Sequence, residues 1–90
     1  MSSDTINKLR SKIDELDDQI FSLIVKRLKQ TQQIGKIKEE AELPIGDSSR
    51  ENNIINRLHG ELEKDLSREQ IKKILEPIIL ISKDLQRERK

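Results

Sequence analysis

The chain has 90 residues, of which 39% are charged and 1% aromatic, with no cysteine, one histidine and a formal net charge of +1. These figures exclude a disulfide scaffold and zinc–sulfur or thiolate chemistry, and argue against a transition-metal centre. No aromatic platform exists for stacking bases, and no run approaches the ~18 apolar residues of a membrane span.

A single domain over residues 1–90 is expected, soluble and cytoplasmic, without a metal site and without nucleic-acid or membrane partners. Its first element is a helix from Asp4 to Ala41. The apolar residues Ile6, Leu9, Ile13, Leu16, Ile20, Leu23, then Ile34, Ile37 and Ala41 form a heptad seam, spaced three and four apart through Leu23. Arg27 and Gln30 interrupt the seam. A polar pair within an apolar stripe is either a device that fixes helix register or part of a binding site. At ~1.5 Å per residue this helix is about 55 Å long. No turn within one chain covers so long a seam, so a helix from a second subunit is the expected partner. Asp4 or Thr5 is placed to cap the start, and Gly35 marks a close backbone approach to another element. Pro44 disfavours helical geometry at Leu43, which ends the helix near Glu42.

Pro44-Ile45-Gly46-Asp47 reads as a loop, with Asp47 as N-cap of a second helix from Ser48. That helix carries Ile54, Ile55, Leu58 and Leu62 on one side and stops between Gly60 and Lys64. Ser67 and Gln70 form a capping box that opens a third helix. Its stripe runs Ile71, Ile74, Leu75, Ile78, Ile79, then Ser82, Leu85 and Gln86, so its apolar face also ends in polar residues. Pro77 removes a backbone donor inside this helix and implies a bend near Lys73. The mild basic cluster from Lys83 to Lys90 reads as a solvated, fraying helix end, and His59 as a surface residue. No strand pattern occurs. The chain is all-α, with a long, a short and a medium helix.

Four cations stand out: Arg10, Arg27, Lys38 and Arg50. Arg27 and Lys38 lie eleven residues apart, nearly on one helix face and about 16 Å apart along the axis. Two long side chains can close that gap onto one small anion. Arg50 and Glu51 occupy the first turn of the second helix, where free N–H groups and the dipole also favour an anion. Glu51 beside these cations stays ionised and accepts a hydrogen bond, for instance from a hydroxyl. Ser82 and Gln86 add neutral polar groups. Arg10 precedes Arg27 by seventeen residues, about 25 Å on a straight helix. It therefore reaches such a site only in a partner subunit, as a two-fold dimer allows.

Singly, each residue has an ordinary reading: solvated flanking charges for Arg10 and Lys38, a cap for Asp47, a first-turn acid for Glu51. Together they describe a site for an anion that carries a hydroxyl. The set holds no nucleophile with a base and no carboxylate pair, which points to electrostatic stabilisation and positioning and away from covalent or acid–base catalysis.

Leu9-Arg10, Ile13-Asp14, Leu16-Asp17, Arg27, Ile34-Gly35-Lys36-Ile37-Lys38, Pro44-Ile45, Asp47, Arg50-Glu51 and Ile81-Ser82 with Gln86 closely resemble the all-helical class of chorismate mutase. The resemblance covers about residues 6 to 86; its motifs are individually loose, but their order is specific. It implies an intertwined three-helix homodimer that converts chorismate to prephenate without a cofactor. It also implies roles. Arg27 and the partner chain's copy of Arg10 bind the substrate carboxylates, with Ser82 close by. Lys38 and Gln86 donate to the ether oxygen, and Glu51 takes the ring hydroxyl in a corner shaped by Asp47 and Arg50. Pro77 and Gly46 depart from the family pattern without removing a motif residue. An isochorismate pyruvate-lyase shares the fold, although Asp47, Arg50 and Glu51 favour the mutase. A non-catalytic dimerisation module, with Arg27 and Gln30 only setting register, is the reading from another class.

Overall fold

Heptad spacing, strong helix formers and the absence of Gly before residue 35 produce a first helix, α1, over Ser2–Glu40. It sets the long dimension of the molecule, 60 Å. The computed structural model describes residues 2–44 and 48–88. Two further helices follow, α2 (Ser48–Leu62) and α3 (Arg68–Glu88), so the chain is all-α, in the expected order of long, short and medium. The helix starts at Ser2, ahead of Asp4 and Thr5, so neither residue is the N-cap; Asp4 becomes a first-turn acid facing the positive end of the dipole.

The end of α1 is closed by backbone geometry that Pro44 alone does not specify. Leu43 N–H donates to Lys38 O at 2.7 Å and Glu42 N–H to Glu39 O at 3.1 Å, the paired bonds of a Schellman motif. Glu42 takes the left-handed position with φ 58°, a place glycine fills more cheaply. The expected capping role of Asp47 falls outside the described residues.

At the other connection the capping box forms as expected. Gln70 N–H donates to Ser67 Oγ at 3.1 Å, and Ser67 N–H donates to Gln70 Oε1 at 2.9 Å. Helix α3 then runs without interruption past Pro77.

The buried core lies between α2 and α3: Ile54, Ile55, Ile71 and Leu75, with Leu58, Leu66 and Ile79 packed around it. His59 is half-buried, more enclosed than its expected surface position. Helix α3 packs on both α1 and α2, whereas among the described residues α1 and α2 do not pack on each other. The α1–α3 approach is close at Gly35, where an added Cβ would lie 2.6 Å from Gln86 Cγ. Among the described residues, nothing in the chain covers the seam of the first half of α1. Its seam residues Ile6, Leu9, Ile13, Leu16, Ile20 and Leu23 remain 46–63% exposed, far more than a monomer's core stripe would be.

Candidate active site

Helical spacing brings polar residues from all three elements to one pocket of about 290 Å³. From α1 come Arg27, Gln30, Thr31, Ile34 and Lys38, on one face by their three- and four-residue steps. The first two turns of α2 contribute Arg50, Glu51 and Ile54. The last turns of α3 contribute Ile79, Ser82, Lys83 and Gln86. Three isoleucines thus wall a cleft whose rim is charged. Among its described lining residues four are cations, and Glu51 is the sole carboxylate, so the pocket is net cationic.

Contacts between helices fix the polar groups. Ser82 is 5% exposed. Its hydroxyl donates to Ile78 O at 2.9 Å, the back-bond open to a helical serine, and it accepts from Arg27 Nη1 at a long 3.5 Å. Ser82 therefore steadies the Arg27 guanidinium, and its own proton is directed to the α3 backbone. Arg27 keeps its remaining donors for a ligand.

Gln86 Nε2 donates to Thr31 O at 2.7 Å. A carbonyl only accepts, so this bond fixes which end of the amide faces α1 and leaves the second N–H of the same nitrogen for another acceptor. Gly35, one turn after Thr31, lets α3 come near enough for that reach. Thr31 Oγ1 donates to Leu28 O at 2.8 Å, so its hydroxyl proton is turned back onto α1.

Glu51 Oε1 lies 3.0 Å from Lys83 Nζ, and each side chain is 29% exposed. Lys83 was expected to be part of a solvated tail; the structure corrects this, because position 83 shares the face of Ser82 and Gln86. The spacing to Ser82 and Gln86 was available in the sequence, but the acid it meets is on another helix. Thr31 and the isoleucine walls likewise became site residues only once the helices were packed.

Of the residues singled out from sequence, Arg27, Lys38, Arg50, Glu51, Ser82 and Gln86 converge on this pocket. Arg10 does not: it is exposed on the N-terminal half of α1, two to three turns from its start. Asp47 lies outside the described residues.

Fold and pocket together define an all-α protein with a net-cationic cleft built from all three helices. The profile of the family described as chorismate mutase type II matches residues 9–87. The chain belongs to the type II chorismate mutase family. It is 38% identical over 61 residues to the T-protein of Haemophilus influenzae, covering 68% of this chain and 16% of that protein. It is 37% identical over 51 residues to the chorismate mutase of Methanocaldococcus jannaschii, covering 57% of this chain and 52% of that one. A bifunctional chorismate mutase/prephenate dehydratase of Aquifex aeolicus is 38% identical over 53 residues, 59% of this chain and 15% of the relative. The chain thus spans about half the length, or less, of the curated relatives it matches. A solved structure of a conserved hypothetical protein from Pyrococcus furiosus is 44% identical, with a TM-score of 0.73 over 91% of this chain and 95% of the other.

Proposed function

We propose that this chain, as one domain over residues 1–90, is a chorismate mutase, working as a cytoplasmic homodimer without a cofactor. The observation that carries the reading is the convergence of Arg27, Lys38, Arg50, Glu51, Ser82 and Gln86 from three helices on one pocket. Family membership supplies the substrate, a ring ether with two carboxylates and a ring hydroxyl.

The reaction is an intramolecular [3,3] rearrangement: the ether C–O bond breaks as a C–C bond forms, and no atom enters or leaves. The protein's task is to select the folded conformer and to stabilise charge that grows on the ether oxygen. Arg27, steadied by Ser82, binds one carboxylate. Lys38 and the second N–H of Gln86 donate to the ether oxygen. Glu51 accepts the ring hydroxyl's hydrogen bond, with Arg50 and Asp47 shaping that side. The second carboxylate falls to Arg10 of the partner subunit.

Two facts support the shared site. Arg10 and Arg27 are separated by about 25 Å along one helix, and the exposed seam from Ile6 to Leu23 presents the face that a second copy would cover. Two experiments test the reading. Loss of chorismate absorbance with prephenate identified as product is expected; no turnover, or release of pyruvate from isochorismate, rejects the mutase. Arg10→Ala and Arg27→Ala homodimers should each be nearly inactive. Co-refolded as a mixture, half the dimers are mixed and carry one intact site, so roughly a quarter of wild-type activity should return under two-fold pairing. Mixed dimers as inactive as their parents would remove Arg10 from the site across the interface.

A further inference from the structure

Lys83 has no task in that reaction, yet its ammonium is 3.0 Å from Glu51 Oε1 and both side chains are only 29% exposed. The ion pairs Arg57–Glu61 and Lys72–Glu76 differ: each is an i,i+4 pair within one helix, at 3.6 and 3.7 Å, with all four side chains at least 55% exposed. Lys83–Glu51 instead ties α3 to the first turn of α2 at the wall of the pocket. A carboxylate is an awkward neighbour for a dianion, since like charges facing each other in a partly desolvated cleft repel. It is also a three-torsion side chain that wanders unless held. One ammonium answers both problems. It neutralises the carboxylate and fixes Oε1, which leaves Oε2 as the oriented acceptor, because a carboxylate has lone pairs for several donors.

Resting on the reading of this pocket as a site for a hydroxylated dicarboxylate, we propose that Lys83 is a positioning residue. It holds Glu51 as a neutralised acceptor for the ligand's ring hydroxyl and does not itself bind a ligand carboxylate. Lys83 then acts through Glu51 alone, and its removal should matter only while Glu51 carries charge.

The test is a double-mutant cycle with two readouts, kcat/KM for chorismate and the calorimetric Kd for prephenate, itself a dicarboxylate with a ring hydroxyl. Circular dichroism checks the fold of each variant; methionine at position 83 keeps helix propensity and the side-chain stem. Lys83→Met should weaken both readouts about tenfold, the scale of a partly exposed charge pair. Lys83→Arg should recover most of that loss. In the Glu51→Gln background, Lys83→Met should add less than a twofold effect. A tenfold loss in both backgrounds would mean that Lys83 binds the ligand directly and would overturn the proposal, as would a Lys83→Met enzyme with unchanged constants. A chain that binds prephenate without consuming chorismate discards the mutase reading, while the Kd pattern still decides the role of Lys83. Binding of neither compound overturns both.

Discussion

Gly35→Ala places a Cβ 2.6 Å from Gln86 Cγ and 3.1 Å from Gln86 Cβ and Cδ. Carbon atoms rest about 3.5 Å apart or more, so the closest pair must separate by about 0.9 Å. Rotating Gln86 about χ1 moves Cγ but not Cβ, which is fixed to α3. Relief therefore requires that the end of α3 lift from α1 as well. Either motion strains the 2.7 Å bond from Gln86 Nε2 to Thr31 O and misdirects the N–H that the proposed mechanism aims at the ether oxygen. Loss of one such donor costs about 10²–10³ in kcat, and a ~1 Å misplacement alone costs about 10². Stability responds differently. Overpacking costs about 1–3 kcal/mol, and alanine in place of glycine within a helix returns about 1 kcal/mol. The net loss is thus between about 0 and 2 kcal/mol. The expected outcome is a folded variant whose melting transition falls by no more than about 15 °C and whose kcat is at least a hundredfold lower. Chorismate consumption followed by absorbance, beside thermal melts by circular dichroism, separates the two effects. Because both changes act on one amide, Gly35→Ala should add little to Gln86→Ala. A Gly35→Ala enzyme with kcat within about threefold of wild type refutes the reasoning.

Other substitutions probe the amide and the helix end. Gln86→Glu should be active at low pH, where a protonated carboxyl can donate, and lose activity as pH rises and that proton leaves, while wild type stays nearly flat. An unchanged pH profile would remove Gln86 from the ether-oxygen role. Glu42→Gly relieves a side chain from φ 58°, a left-handed conformation that costs a non-glycine residue about 1–2 kcal/mol. After the greater unfolded-state entropy of glycine is subtracted, a gain of about 0.5–1 kcal/mol should appear as a higher urea midpoint. A midpoint that stays put or falls would show that Glu42 is not strained there.

The helices were legible because their signals are local. Ser67 and Gln70 are three residues apart and need only each other, so the capping box could be read directly. Arg27 and Lys38 ride one rigid rod, and eleven residues fix their common face. Signals that depend on packing were not legible. The meeting of Lys83 with Glu51 requires the α2–α3 register, which the sequence does not display, and Lys83 reads locally as part of a basic tail. Gly35 suggested a close approach, but its partner Gln86 is 51 positions away. The end of α1 was legible from Pro44, but not the use of Glu42 in the left-handed position, since side-chain type gives no warning there. Helix α1 starts at Ser2, ahead of two good capping candidates, because Ser2 and Ser3 already take helical geometry.

Helices α1 and α2 each rest on α3 and, among the described residues, not on each other. The cations Arg27 and Lys38 on one side of the pocket and Arg50 and Glu51 on the other are therefore aligned only through a third body. A ligand that touches both sides supplies the tertiary contact the chain itself omits, and closes an open arrangement into a triangle. Its binding energy then couples α2 to α1, which the chain otherwise joins only through α3. At a hundredfold excess over Kd, a ligand adds about 2.7 kcal/mol to global stability. Amide hydrogen exchange should register the closure unevenly, with slowing greatest in the first turns of α2, where the ligand adds contacts, and least in the connection between α2 and α3, which the ligand does not touch.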